Sequence, residues 1–155
     1  TGGGIAKALP HFDGQPFFCL NADLPWFDGA APSLSRMCET WNPENMDALL
    51  LVMPTIKARG FSPNGDFAME SGGRLKRKGM AAPRPYVMVS AQILKPELFA
   101  PPPAKVFSNN LIWDKAEERG RLYGIEHLGT CYHVGTLDDL RQANALLKSG
   151  KGWSA

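Results

Sequence analysis

Asp23 is the residue of this sequence whose type and position best suit chemistry. It follows the apolar run Phe17-Phe18-Cys19-Leu20 and the short pair Asn21-Ala22, so it stands at the carboxyl end of a strand. In open α/β sheets, ligands gather outside that edge. A carboxylate there can hold Mg²⁺, a hard cation that takes oxygen ligands and fills its shell with water and substrate phosphates. An aspartate that merely caps the following loop is the plainer alternative. His133 closes a second short run, Cys131 to Val134, just ahead of Gly135-Thr136. If the two strand ends converge, Asp23 and His133 face one pocket. A histidine satisfied by a backbone carbonyl is the alternative.

Other candidates are weaker. Thr1-Gly2-Gly3-Gly4 leads into a helix, where absent side chains and free N–H groups let a polar or anionic ligand approach. The segment lacks the Lys and Ser or Thr of a phosphate-binding P-loop, and a plain connector would look the same. Ser90 and Gln92 are polar positions inside the apolar run Tyr86 to Leu94. Buried polar groups need partners, and a substrate sugar is one. Cys131 with His133 hints at zinc, but no second pair stands at ligand spacing. No Gly-x-Ser-x-Gly elbow supports covalent hydrolysis. The basic run Arg74, Lys76, Arg77 and Lys78 reads as a solvated face.

Composition narrows the function classes. The chain has 155 residues, enough for one domain, and its 44% hydrophobic and 21% charged residues are those of a globular protein. A net charge of +2 gives no strong pull toward nucleic acid or an anionic membrane. The longest apolar runs, Ala48 to Met53 and Tyr86 to Val89, are too short to span a bilayer, and the first residues do not resemble a signal peptide. Three widely spaced cysteines, Cys19, Cys38 and Cys131, fit a reducing cytoplasm. The chain opens without Met in what reads as a loop feeding a helix, so residues upstream of Thr1 are expected.

The elements that would position these residues follow from periodicity. Thr1 is expected to cap a helix over Ile5 to Leu9. The run Phe17 to Leu20 suits a strand buried on both faces, as in a parallel sheet. Pro32 opens a helix whose inner face is Leu34, Met37, Cys38 and Trp41. Ala48 to Met53 is a second buried strand. Phe67 to Glu70 and Arg74 to Lys78 form a hairpin about Ser71-Gly72-Gly73. After the long strand Tyr86 to Leu94 and the prolines at 101–103, Ser108 or Asn109 caps a helix carrying Leu111, Ile112 and Ala116, ended by Gly120. Strands are expected at Leu122 to His127 and Cys131 to Val134. Thr136 and Asp139 make a capping box for a last helix, with Leu137, Leu140, Ala143 and Leu147 as its inner stripe and Gly150 as its end. Strand–helix alternation around an antiparallel hairpin predicts an α/β fold with a mixed, mostly parallel sheet in a single domain over residues 1–155.

Taken in order, these segments resemble the C-terminal two-thirds of the sugar-1-phosphate nucleotidyltransferase family, in the N-acetylmuramate-1-phosphate uridylyltransferase and mannose-1-phosphate guanylyltransferase-like group. The matching pieces are Thr1 to Ile5, Phe18 to Asp23, Gly65-Asp66-Phe67, Phe107 to Asp114, and His133 to Leu140. The resemblance implies a Rossmann-like domain, with its N-terminal strands missing here, that joins an NTP (UTP or GTP) to a sugar-1-phosphate and releases pyrophosphate. It implies that Asp23 holds Mg²⁺, that Gly2, Gly3 and Gly4 lie along the nucleotide or sugar, and that Ser90, Gln92 and Asn110 line or neighbour the sugar pocket. His133 stands where the family usually has a metal-binding Asp. There it would contact a phosphate, take a softer ion such as Mn²⁺, or mark weakened catalysis. Ala22 replaces the Gly of the usual Asn-Gly-Asp. The family's Gly-rich nucleotide loop and Pro-Lys-Pro segment do not occur in the chain, which leaves Phe17 to Leu20 as an expected open sheet edge able to self-associate. The expected function is UDP-sugar synthesis for cell-wall recycling in the cytoplasm, with GDP-mannose synthesis second. A non-catalytic sugar- or nucleotide-binding module is the alternative.

Overall fold

The computed structural model describes residues 2–61, 64–77, 84–101 and 104–148. Along the chain run α1 (Gly2–Ala8), β1 (Phe17–Leu20), β2 (Trp26–Phe27), α2 (Ser33–Thr40), β3 (Ala48–Pro54), β4 (Ala68–Met69), β5 (Leu75–Lys76), β6 (Tyr86–Leu94), α3 (Asn110–Glu118), β7 (Leu122–Glu126), β8 (Thr130–Cys131) and α4 (Leu137–Lys148). Short 3₁₀ turns follow α1 at Leu9–Phe12 and β6 at Pro96–Phe99. The roles expected of Thr1, Lys78 and Gly150 lie outside the described residues.

The main sheet has the order β1-β6-β3-β7. β6 runs against both β1 and β3, while β3 and β7 are parallel, so β1, β3 and β7 share one direction and β6 alone opposes them. The sheet is mixed, as expected. β3 occupies the interior because it can bury both faces: Ala48 through Met53 are all 0% exposed. Ala48, Leu50 and Val52 join a core with Ile112 and Ala116 of α3, while Leu49, Leu51 and Met53 join a second core with Met37 of α2. Alternation along one strand thus feeds two layers, and the sequence shows it as an unbroken apolar run.

β1 differs from its expected setting. It stands at an edge among the described residues, as the resemblance implied, but it pairs antiparallel with β6 and not in a parallel arrangement, and Leu20 at its end is 46% exposed. Its side chains do reach both cores, Phe17 and Cys19 on one face and Phe18 on the other, but only Phe17 is buried. The helices also depart from expectation in part. Ile112 and Ala116 are buried, but Leu111 is 43% exposed. In α4 only Ala143 of the expected stripe is buried; Leu137, Leu140 and Leu147 are exposed. Thr136 and Asp139 do form the reciprocal capping box, the Thr136 hydroxyl accepting from the Asp139 amide at 3.1 Å and the Asp139 carboxylate accepting from the Thr136 amide at 2.9 Å. The cap is local and forms regardless of what covers the helix. The basic run is largely spent on partners: Arg77 meets Asp114 at 2.8 Å and its amide donates to Glu117, while Arg74 lies over the Tyr123 ring.

Asp47 ties the amino end of β3 to the rest of the sheet. Its carboxylate accepts from Arg121 Nε at 2.7 Å and Arg119 Nη1 at 3.2 Å and faces Lys95 Nζ at 3.4 Å. Burial alone would push its pKa up, but the hydrogen bonds and charges of these three cations outweigh burial and hold it below the ordinary carboxylate value. A depressed folded-state pKa adds stability above the unfolded value, about 4, and that stability is lost as pH falls toward the folded value. Urea denaturation should therefore show stability falling below about pH 5. Asp47→Asn should be less stable at pH 7 and should show a smaller loss on acidification.

Candidate functional site

β1 carries the chain up to Leu20, opposite Ala91, and the next residue is caught by a bulge in β6. Between the pairs Leu50–Gln92 and Val52–Met88, β3 advances two positions and β6 four, and Ser90 lies at φ 59° in the left-handed region. That conformation costs an L-residue about 1–2 kcal/mol. Ser90 is fully buried, its hydroxyl donates to the Asn21 carbonyl at 3.1 Å, and its own carbonyl accepts from the Asn21 amide at 3.1 Å. Ser90 therefore serves the turn that carries Asp23 and is not on the cavity wall. The expectation that it lines a sugar pocket is corrected: the bulge turns it toward the backbone of Asn21.

Asp23 follows in a turn, exposed, at the mouth of a cavity of about 460 Å³. Gly4 and Ile5 of α1, Cys19 and Leu20 of β1, Gln92 of β6, and Ser108, Asn109, Asn110 and Trp113 around the start of α3 complete the wall with Asn21 and Ala22. Gln92, 2% exposed, is the hub of the inner wall. Its Oε1 accepts from Trp113 Nε1 at 2.8 Å and from Asn109 Nδ2 at 3.0 Å. Burial pushes the Cys19 thiol pKa up, with a hydrogen bond from Gln92 partly opposing it. Of the expected wall residues, Asp23, Gly4, Gln92 and Asn110 thus meet in one cavity. Sequence reasoning does not single out Asn109, Trp113 or Cys19 for this wall. The helix cap expected of Ser108 or Asn109 falls to Ser108, whose Oγ accepts from the Asn110 amide, while the Asn109 side chain makes no cap bond. An indole N–H on the helix face turned toward the polar strand position Gln92 is the signal that could have located this wall.

His133 is not brought to Asp23. Strand β8 ends at Cys131, two residues short of it. The segments do converge, since the Val134 amide donates to the Asp23 carbonyl at 3.1 Å, but the imidazole turns the other way. Its Nδ1 donates to the Gly60 carbonyl at 3.2 Å and its ring lies 5.4 Å from that of Phe61. It lines a separate small hollow with Arg59, Tyr132, Asp139 and Gln142. The backbone carbonyl has taken the imidazole. Cys131 is buried, and burial pushes its thiol up to about 12. The described residues contain no group of three His, Cys, Asp or Glu side chains able to hold a metal.

No protein-family model matches the chain. An N-acetylmuramate α-1-phosphate uridylyltransferase of Caulobacter vibrioides is 33% identical over 135 residues, which is 87% of this chain and 56% of that protein. A protein of the same name from Neisseria meningitidis serogroup B is 29% identical over an aligned length of 155 residues, 97% of this chain and 63% of that one. The curated homologues of this chain are sugar-1-phosphate nucleotidyltransferases. The chain spans little more than half the length of these relatives and corresponds to their C-terminal part. Solved structures share the fold: an apo UDP-glucose pyrophosphorylase has a TM-score of 0.70 at 20% identity over 96% of this chain and 60% of that one. A UTP-bound UGPase from Acinetobacter baumannii also has 0.70, at 16% identity over 96% and 55%. No helix of the described residues is long and apolar enough to cross a membrane.

The three glycines of the amino end divide sharply. A Cβ on Gly2 would overlap the Phe107 ring, and one on Gly3 would stand 2.5 Å from the Lys105 carbonyl oxygen, whereas one on Gly4 would meet nothing within 4 Å. Gly2 also spends its amide on the Phe107 carbonyl at 3.1 Å. The expectation that all three lie along a ligand is corrected: Gly2 and Gly3 let α1 close onto the 105–107 segment, and Gly4 alone opens on the cavity. Gly3→Ala should accordingly lower the unfolding free energy by about 1–3 kcal/mol through overpacking. Gly4→Ala should leave it unchanged or raise it by up to about 1 kcal/mol through helix propensity. Urea titration of the two variants checks this.

Proposed function

We propose that this chain contributes the sugar-side and metal-binding part of an enzyme that transfers a nucleotidyl group from an NTP to a sugar-1-phosphate. The observation that carries the reading is Asp23, held by the Asn21–Ser90 pair at the mouth of a cavity whose inner wall is uncharged and rich in hydrogen-bonding groups. The relatives' names support N-acetylmuramate 1-phosphate with UTP as the favoured pair; mannose 1-phosphate with GTP is the second candidate pair. In that reaction a phosphate oxygen of the sugar-1-phosphate forms a bond to the α-phosphorus of the NTP, the α–β bridging bond breaks, and pyrophosphate departs with its electrons. Such transfer needs alignment and charge neutralisation more than covalent help.

One exposed carboxylate fits Mg²⁺, which commonly takes one or two protein carboxylates and leaves its remaining positions to water and phosphate oxygens. Asp23 would hold that ion, with Mn²⁺ as a substitute, and the ion would neutralise charge on the two phosphorylated reactants. His133 receives no metal role in this reading, because its side chain lines the hollow with Arg59 and Gln142 and not the cavity at Asp23. Gln92 and Asn110 would meet the sugar, and Gly4 leaves room for it beside α1. An enzyme with these substrates would work in the cytoplasm, where nucleoside triphosphates are made, and would return a cell-wall sugar to the nucleotide-sugar pool.

The displaced imidazole favours one second reading: a binding module of the same ancestry that retains the cavity without turnover. The full natural protein, given UTP or GTP, Mg²⁺ and in turn the 1-phosphates of N-acetylmuramate, N-acetylglucosamine, glucose and mannose, should release pyrophosphate with at least one pair. Asp23→Ala should cut that turnover by about 10²–10³-fold with an unchanged unfolding midpoint. Absence of release with every pair would reject the enzyme, and full turnover in Asp23→Ala would reject the metal assignment.

A further inference from the structure

The inner wall of the cavity contains one polar atom whose partner is missing. The Trp113 indole N–H can only donate, so its 2.8 Å contact fixes the oxygen end of the Gln92 amide. The same oxygen lies 3.0 Å from the Asn109 amide, which must therefore present its nitrogen to Gln92 and its oxygen away from it. Asn109 is 6% exposed, and its Oδ1 is the one buried side-chain polar atom without a hydrogen-bond partner among the described residues. A reversed amide would set two oxygens against each other, so the vacancy cannot be moved onto the nitrogen. Capping does not account for it either, since the Asn109 side chain makes no cap bond to α3. Buried acceptors left unpaired are costly and rare, and this one belongs to a residue lining the cavity.

We propose that Asn109 is a specificity-determining residue whose Oδ1 accepts a hydrogen bond from a hydroxyl or amide N–H on the sugar of the bound reactant. The proposal rests on the nucleotidyl-transfer reading and deepens it. A phosphate at neutral pH brings oxygen lone pairs to the wall and would be repelled by a carbonyl oxygen. A pyranose carries hydroxyl donors around its whole rim, whereas a nucleobase carries few. The reactant is thereby oriented: a donor toward Asn109 inside, phosphate toward Asp23 at the mouth. A wall built to pair with a donor discriminates strongly against an analogue that lacks it, because the acceptor is then left unmet.

The test uses the full natural protein and whichever of the four sugar-1-phosphates gives the highest turnover. Asn109→Leu keeps the branched shape in a larger side chain and removes the acceptor, together with the donor to Gln92. It should raise KM for the sugar phosphate about tenfold or more, with kcat and KM for the nucleotide within about threefold. Monodeoxy analogues of the same sugar phosphate, tried on the unaltered protein, should include one position whose loss costs a similar factor and costs nothing further in Asn109→Leu. If the variant does not fold, the analogue series alone decides. Analogues that all perform within twofold of the parent, or a rise in KM for the nucleotide alone, would overturn the assignment. No pyrophosphate from the unaltered protein with any pair would instead mark failure of the transfer reading, and Asn109 would lose its sugar role with it.

Discussion

Beyond Leu20 an edge strand has nothing to keep it in place except what its single neighbour provides, and in this protein that neighbour is bent to provide it. The bulge in β6 puts Ser90 into the left-handed region, where hydroxyl and carbonyl together grip the backbone of Asn21 on both sides. The strain at Ser90 is offset by two hydrogen bonds between this fully buried residue and the half-buried Asn21, where each counts for more than it would in water. Asp23 inherits its position from that grip. The Val134 amide adds a second restraint on the Asp23 carbonyl. A carboxylate that meets a charged ligand, the role proposed for Asp23, must be exposed and yet held still. Backbone restraint with a free side chain satisfies both demands.

The same strand that positions Asp23 also furnishes the cavity's inner wall. Two residues past Ser90, Gln92 gathers the indole of Trp113 and the amide of Asn109 onto one oxygen, which locks α3 against β6. Close packing of α1 onto residues 105–107, allowed by Gly2 and Gly3, brings Gly4 and Ile5 in from the other side. The cavity is thus a meeting of elements from the beginning, middle and later part of the chain, around a sheet whose interior strand β3 is buried from Ala48 to Met53.

Much of this is legible in the residues. Strand β6 follows from an apolar run broken only at Ser90 and Gln92, the limits of β1 follow from an unbroken one, and the Thr136–Asp139 box follows from a local spacing that needs no tertiary information. Asp23 is legible because a carboxylate directly after such a run stands at the strand's carboxyl end, the edge where α/β sheets bind their ligands. The misreadings share a cause. Ser90, Gly2 and Gly3 are unusual residues for their places, but an unusual residue can serve the fold as well as a ligand, and only the partner's location distinguishes the two. His133 lies near Asp23 along the backbone, yet the direction of its ring is set by Gly60, more than seventy positions away in sequence. Asn109 is hidden by its neighbour: either of two adjacent residues could cap α3, and Ser108 takes that role.

On the proposed function, the Asp23 cavity and not the hollow beside His133 is where phosphorylated reactants bind. Amide NMR of the isotope-labelled full natural protein with Mn²⁺ and UDP-N-acetylmuramate reads that choice directly. Paramagnetic broadening is expected to be strongest at Asn21 to Leu24, extending to Gly4, Asn110 and the Trp113 indole. Broadening centred on Gly60, Tyr132 and Gln142, with Gly4 and Trp113 left sharp, would contradict it.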